Sequence, residues 1–98
     1  MKREIRFVWD EWKNRQNQMK HGISFEEAES VFFDEQAKEY FDPDHSEEED
    51  RFLLVGRSYN LRILLICHCY REGDRIIRII SARRATKTER SAYPRGRE

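Results

Sequence analysis

Glycine is scarce and scattered. The four present (Gly22, Gly56, Gly73 and Gly96) never cluster, which excludes a glycine-rich phosphate loop. Neither a serine nucleophile elbow nor a zinc-binding spacing occurs. The only two cysteines, Cys67 and Cys69, stand two apart on a predicted strand. There they share a face, with unfavourable geometry for bridging each other. His68 between them faces the opposite way, so the trio cannot easily close around one metal, and buried reduced thiols are expected. Asp42, Asp44, Ser46 and Glu48 hint at a calcium loop, but Glu47 and Leu53 stand where its glycine and terminal glutamate belong. No metal or other cofactor is therefore expected. The first residues carry charges but no apolar signal segment, and no apolar run is long enough to span a bilayer. A cytoplasmic protein without a membrane partner is the expectation.

Net charge is also lacking, but the zero hides segregation. Residues 24 to 50 hold twelve carboxylates against Lys38 alone, a net of −11, whereas residues 71 to 98 sum to +5. Such a molecule can hold a polyanion on one side and a basic partner on the other. At 98 residues and 39% charged, the chain fits one domain with one modest core. That domain is expected over residues 1–93, with a flexible tail at 94–98.

Apolar periodicity predicts a strand over Ile5–Trp9, then a helix capped by Asp10 and stopped at Gly22. Its thin apolar stripe, Trp12 and Met19, predicts a surface helix. Ser24 with Glu27 is a capping-box pattern for a second helix. Phe25, Ala28, Val31 and Phe32 should face the core there, with Glu26, Glu27 and Glu29 on the exposed side and early turns. Strands follow over 37–41, 52–58, 62–71 and 74–82, the last three joined by turns short enough for antiparallel hairpins. Strand 62–71 is apolar on both faces and should be central. Thr86 with Glu89 caps a terminal helix halted by Pro94. The reading is an α+β domain of order β-α-α-β-β-β-β-α with a mostly antiparallel sheet.

The chemistry concentrates in residues 75 to 93, where a β-branched strand runs into Arg83 and Arg84 and then a short basic helix with Lys87 and Arg90. Guanidinium forks match phosphate oxygens and keep their charge at any cellular pH. On a strand, Arg83 and Arg84 leave on opposite faces, so only one can enter a given site and the other should pair with an acidic neighbour. Arg78 is either a structural ion pair or lies beneath a substrate. Lys20 and His21 end the first helix, whose negative pole favours a protonated histidine. His68 shares a face with Leu64 and Ile66, which predicts a core histidine unless that face is open. His45, amid acidic residues, reads as a solvated loop residue.

Metal-free RNA cleavage suits so small a frame, because RNA supplies its own nucleophile, the 2′-hydroxyl. The protein need only move two protons and neutralise the phosphorane. The competing reading is a non-catalytic module that partners a small DNA-binding repressor.

Several blocks resemble a known family. Trp9-Asp10-Glu11, Lys13-Asn14 and Lys20-His21-Gly22-Ile23-Ser24-Phe25-Glu26-Glu27-Ala28 are similar to the front half of BrnT toxins. Asp42-Pro43-Asp44-His45-Ser46, Arg51-Phe52, Gly56-Arg57-Ser58, Arg78 to Thr86 and Glu89-Arg90 continue the likeness to about residue 93. The resemblance implies a RelE/ParE-like fold and a toxin of a type II toxin–antitoxin system that inhibits translation as a ribonuclease. It also implies neutralisation by a BrnA-like antitoxin in a complex of two toxins and two antitoxins, which binds operator DNA through the antitoxin. Lys20, His21, Arg83 and Arg84 fall within the family's most recognisable blocks. The expected catalytic set is Lys20, His21, Arg83 and His68, with Arg83 holding transition-state charge and His21 moving the proton. Arg84, Arg78, Lys87 and Arg90 are expected to bind RNA.

Overall fold

Two asparagines seat the first helix. In the structure, a computed structural model describing residues 4–45 and 48–94, α1 (Glu11–His21) follows the short strand β1 (Arg6–Val8). Asp10 caps it by accepting from the Trp12 amide at 2.8 Å, and Gly22 ends it with a left-handed φ of 72°. The predicted apolar stripe does not attach it: Trp12 and Met19 are 60% and 81% exposed. Asn14 and Asn17 are the buried positions instead. Asn17 Nδ2 donates to the carbonyls of Ile23 (2.8 Å) and Ala82 (2.7 Å), and its Oδ1 accepts from the Ala82 amide at 3.1 Å. Asn14 Oδ1 accepts from the Phe25 amide at 2.8 Å, tying α1 to the next helix.

The remaining elements are α2 (Phe25–Val31), β2 (Lys38–Asp42), a 3₁₀ turn (Pro43–His45), β3 (Arg51–Arg57), β4 (Ile63–Arg71), β5 (Ile76–Arg84) and α3 (Lys87–Arg90). The order is the predicted one. The five-stranded sheet runs β1-β5-β4-β3-β2, with β4 central. β1 lies parallel to β5 and every other pair is antiparallel. Because β1 is only three residues long, it leaves the upper edge of β5 open. The Asn17 amide occupies that edge at Ala82 as a strand would. Among the described residues no helix is long and apolar enough to cross a membrane.

One sheet face carries the main core. Phe25, Ala28 and Val31 of α2, with Ile23, pack on Leu54, Leu64, Ile66, Ile79 and Ala82. Gly56 sits under α2 where no side chain fits: a Cβ there would meet Val31 Cγ1 and Ala37 Cβ, each at 2.8 Å. Glu27, expected on the exposed side of α2, is only 2% exposed. Its carboxylate takes a two-pronged grip from Arg62 and a hydrogen bond from Ser58 Oγ at 2.6 Å. Burial alone would raise the Glu27 carboxyl, but those donors outweigh it and hold it below its ordinary value.

The other sheet face is open except at one end. There Tyr93, after α3, packs on Val55 and Leu65. Its hydroxyl donates to Asp34 Oδ2 at 2.6 Å, and burial together with that bond pushes the phenol up to about 12.

Replacing Asn17 by Ala should cost about 2–3 kcal/mol, since the peptide groups of Ala82 and Ile23 would lose buried partners. Met19→Ala should stay within about 0.5 kcal/mol. Urea denaturation of both variants checks this, and equal effects would contradict the role given to Asn17.

Candidate functional site

Alternation along β5 decides which arginine faces where, and one irregularity resets it. Cys67 pairs with Ser81, yet His68 pairs with Ile79, so Ile80 is the extra residue of a bulge. Beyond it, Ala82 and Arg84 lie on the helix-covered face, opposite Ile66 and Leu64. Ser81 and Arg83 lie on the open face, opposite Cys67 and Leu65. The strand runs through Arg84, two residues past its predicted end, and the paired arginines do diverge.

Arg83 is the one with an acidic partner. Glu89 of α3 meets its guanidinium through two bonds of 2.9 Å, and Arg83 Nη1 also donates to the Arg84 carbonyl at 3.2 Å. Glu89 also closes the predicted capping box, accepting from the Thr86 amide at 2.8 Å. Hydrogen bonds from Arg83, against some desolvation, hold the Glu89 carboxyl down at about 2, and Glu89 in turn raises Arg83. The short helix thus fixes one fork of Arg83, which keeps other N–H donors for a ligand.

Next to Arg83 the open face holds a pocket of about 210 Å³ with Leu53, Leu65 and Ile80 as apolar walls. Arg83, Arg51, Asp42, His45, Ser81 and Cys67 supply its polar lining. His45 Nδ1 lies 2.9 Å from Asp42 Oδ2, and Asp42, nearly buried, also accepts from the Asp44 amide. That geometry follows from Asp-Pro-Asp-His: Pro43 opens a 3₁₀ turn, in which residues three apart eclipse each other. The sequence reading missed Arg51, Asp42 and His45, although the Asp-x-x-His spacing across a proline was the available signal. Arg51 stands opposite Asp42 in the β2–β3 register. The Cys67 thiol is raised mainly by burial, and both cysteines are free.

The other predicted residues divide into three groups. Lys20 and His21 end α1 beside the edge of β5. From Asn17, opposite Ala82, three or four helical residues rise about 5 Å, roughly one and a half strand residues. Beyond them the Gly22 carbonyl accepts from Arg62 Nη2 at 3.2 Å, which sets the end of α1 beside the start of β4. Arg84, Lys87 and Arg90 are exposed near the same corner. Arg78 is half-buried, on the face of Arg83 but opposite Cys69, further down the sheet. His68 is not brought to this site. It is fully buried beneath the helix-covered face, boxed by Phe32, Phe52 and Tyr70, with Nε2 2.8 Å from Glu39 Oε2. Its burial outweighs the pull of Glu39 and lowers its pKa, so the contact is a hydrogen bond from a neutral imidazole. The second ring nitrogen, Nδ1, makes a long contact of 3.4 Å with the Ile66 carbonyl.

The depressed Glu89 carboxyl makes a pH prediction. A carboxyl lowered from 4.5 to about 2 stabilises the fold above the unfolded value, and that contribution fades as pH falls from about 4.5 toward 2. Glu89→Gln should flatten the acid limb of stability in that window, measured by thermal melts at pH 2 to 6. An unchanged acid limb would mean the pair contributes nothing to folding.

Comparison with known proteins bears on this site directly. A family model described as the ribonuclease toxin BrnT of type II toxin–antitoxin systems matches residues 9–89. Among curated proteins no sequence matches significantly. Among solved structures, the ribonuclease toxin BrnT of Brucella abortus is similar, with a TM-score of 0.63 at 26% identity, over 85% of this chain and 99% of that one. The matched span takes in every residue that lines the open-face pocket, together with α1 and Glu89, and the chain belongs to the BrnT family of ribonuclease toxins.

Proposed function

We propose that the chain cleaves RNA in the open-face pocket, by attack of the ribose 2′-hydroxyl on the adjacent phosphorus. The observation that carries this reading is the meeting of Arg83, Arg51 and an aspartate-oriented histidine in one cavity. The attacking hydroxyl must lose a proton, the leaving oxygen must gain one, and the phosphorane needs positive charge near its equatorial oxygens. Arg83 supplies that charge from a rigid strand, held by Glu89, with Arg51 across the pocket. A second arginine on the far wall lets a phosphate be gripped from two sides.

In this reading His45 takes the 2′-hydroxyl proton, and solvent water protonates the leaving 5′-oxygen. Asp42 at Nδ1 fixes the ring orientation, which leaves Nε2 for the substrate. His21 was the first choice from sequence alone. It has no carboxylate partner among the described residues, and it stands at the strand edge with Lys20. His68 has no route to substrate while buried and takes no step here. Lys20, Arg84, Arg78, Lys87 and Arg90 are assigned to the RNA backbone on either side of the scissile bond, as an electrostatic track. No metal enters the scheme, because RNA brings its own nucleophile and the arginines stabilise the charge.

The proposal extends to biology. The free toxin would inhibit translation, and a BrnA-like antitoxin would neutralise it in a complex of two toxins and two antitoxins that binds operator DNA through the antitoxin.

Purified protein incubated with bulk RNA, with and without a chelator, tests the chemistry. Cleavage should survive the chelator. Arg83→Ala should lower the rate by about 10²–10³-fold, as for loss of one transition-state donor. His45→Gln should lower it by about 10²–10⁴-fold. Circular dichroism should find both folded. Full activity in folded Arg83→Ala would overturn the assignment, and full activity in His45→Gln would return proton transfer to His21.

A further inference from the structure

The helix-covered face is not covered to its end. Beyond α2, the lower part of the sheet leaves a groove of about 550 Å³ with a floor of Phe7, Phe32, Phe52, Tyr70 and Ile77. The rings form two edge-on or tilted groups joined through the buried His68 ring: Phe7 meets Phe32 at 5.2 Å and Phe33 at 6.0 Å, and Phe52 meets Tyr70 at 5.3 Å and Phe41 at 5.6 Å. Large apolar side chains at its lip stand in solvent: Phe33 is 72% exposed, Ile5 54% and Phe41 50%. None of them serves the proposed chemistry, which lies on the opposite face of the sheet. A contiguous aromatic surface of this kind is costly to leave wet, and its usual cause is a partner.

The rim states what kind of partner. Glu39 and Asp74 line the groove itself. The segments that frame it add Glu4, Glu35 and Glu72, all exposed; of the adjoining hairpin's exposed cations, Arg71 turns to the open face and pairs with Glu49, which leaves Arg75. Lys38 and Arg6 do not offset them, because strand alternation turns both to the open face with Val55 and Ile76. Glu39 is fixed in place: His68 Nε2 and the Tyr70 hydroxyl both donate to Oε2. Among the described residues its Oε1 has no hydrogen-bond partner, so it remains for an incoming donor. An apolar floor edged by carboxylates complements an amphipathic segment with two or three apolar anchors and flanking lysines or arginines.

We propose that this groove docks such a segment of the antitoxin, anchoring it to the sheet face opposite the RNA pocket. The proposal rests on the toxin–antitoxin reading given above. It separates anchoring from inhibition: the groove holds the antitoxin, and any block of RNA entry comes from a different part of it. A partner that must also contact operator DNA is expected to be basic, which fits the acidic rim. A second copy of the toxin fits less well, since two grooves facing each other would oppose their acidic rims.

The test uses the cognate antitoxin, titrated into purified toxin by calorimetry, with Phe33→Ser and Asp74→Lys as variants. Both positions are exposed, and the left-handed φ of 71° at Asp74 makes the lysine cost some stability without unfolding the chain. Each variant should weaken antitoxin binding about tenfold or more, while chelator-resistant cleavage of bulk RNA by the free toxin is unchanged. Binding to Asp74→Lys should also lose part of its salt dependence. Wild-type affinity in both variants would overturn the proposal. So would sedimentation showing that Phe33→Ser abolishes a toxin dimer while antitoxin binding persists. Failure of the ribonuclease reading would look different, because wild-type toxin would then leave RNA intact whatever the groove binds.

Discussion

The single extra residue in β5 governs the chemistry of the whole molecule. A strand's side chains alternate, so one inserted residue turns everything beyond it to the other face. Without Ile80 as the bulge, Arg83 would point under the helices, where Leu64 and Ile66 leave no room for a charge, and Ala82 would face solvent. With it, small Ala82 closes the core against Asn17 while Arg83 and Ser81 emerge beside Arg51. Core and site are thus set by the same register. A substitution that moved that register would damage both.

Around that constraint the two faces of the sheet take opposite characters. The open face gathers arginines from β3 and β5, with α3 holding Arg83 through Glu89. The helix-covered face combines the main core with an aromatic groove whose borders are acidic. The neutral total charge combines these arginines with carboxylates that border the aromatic groove and, at Asp44, Glu48 and Glu49, also adjoin His45 and Arg51. The buried Glu27–Arg62 pair belongs to neither. It joins α2 to the start of β4, and losing one partner would strand the other charge out of water.

Much of this was legible in the sequence because local rules carry it. The caps at Asp10, Ser24 and Thr86, the stop at Gly22 and the central place of β4 all follow from short-range signals. What escaped was non-local. Nothing near Asn14 and Asn17 announces that their amides will replace an apolar stripe, since their partners Phe25 and Ala82 are 11 and 65 residues away. Glu27 looks like an exposed helix residue until Arg62, 35 positions later, arrives to neutralise it. The divergence of Arg83 and Arg84 was predictable from alternation, but the bulge that decides their faces was not. His45 does stand exposed in a turn, but the pocket it borders exists only once β2, β3, β4 and β5 are aligned.

The account is tested most directly by where an uncleavable substrate binds. Backbone amide shifts should be followed while a short RNA carrying a 2′-O-methyl group on every ribose, which blocks the nucleophile, is titrated into the toxin. The account predicts that the largest changes fall on His45, Arg51, Ser81 and Arg83, with little movement at Phe7, Phe33 and Tyr70. Changes centred on the aromatic groove, with the open face silent, would contradict it.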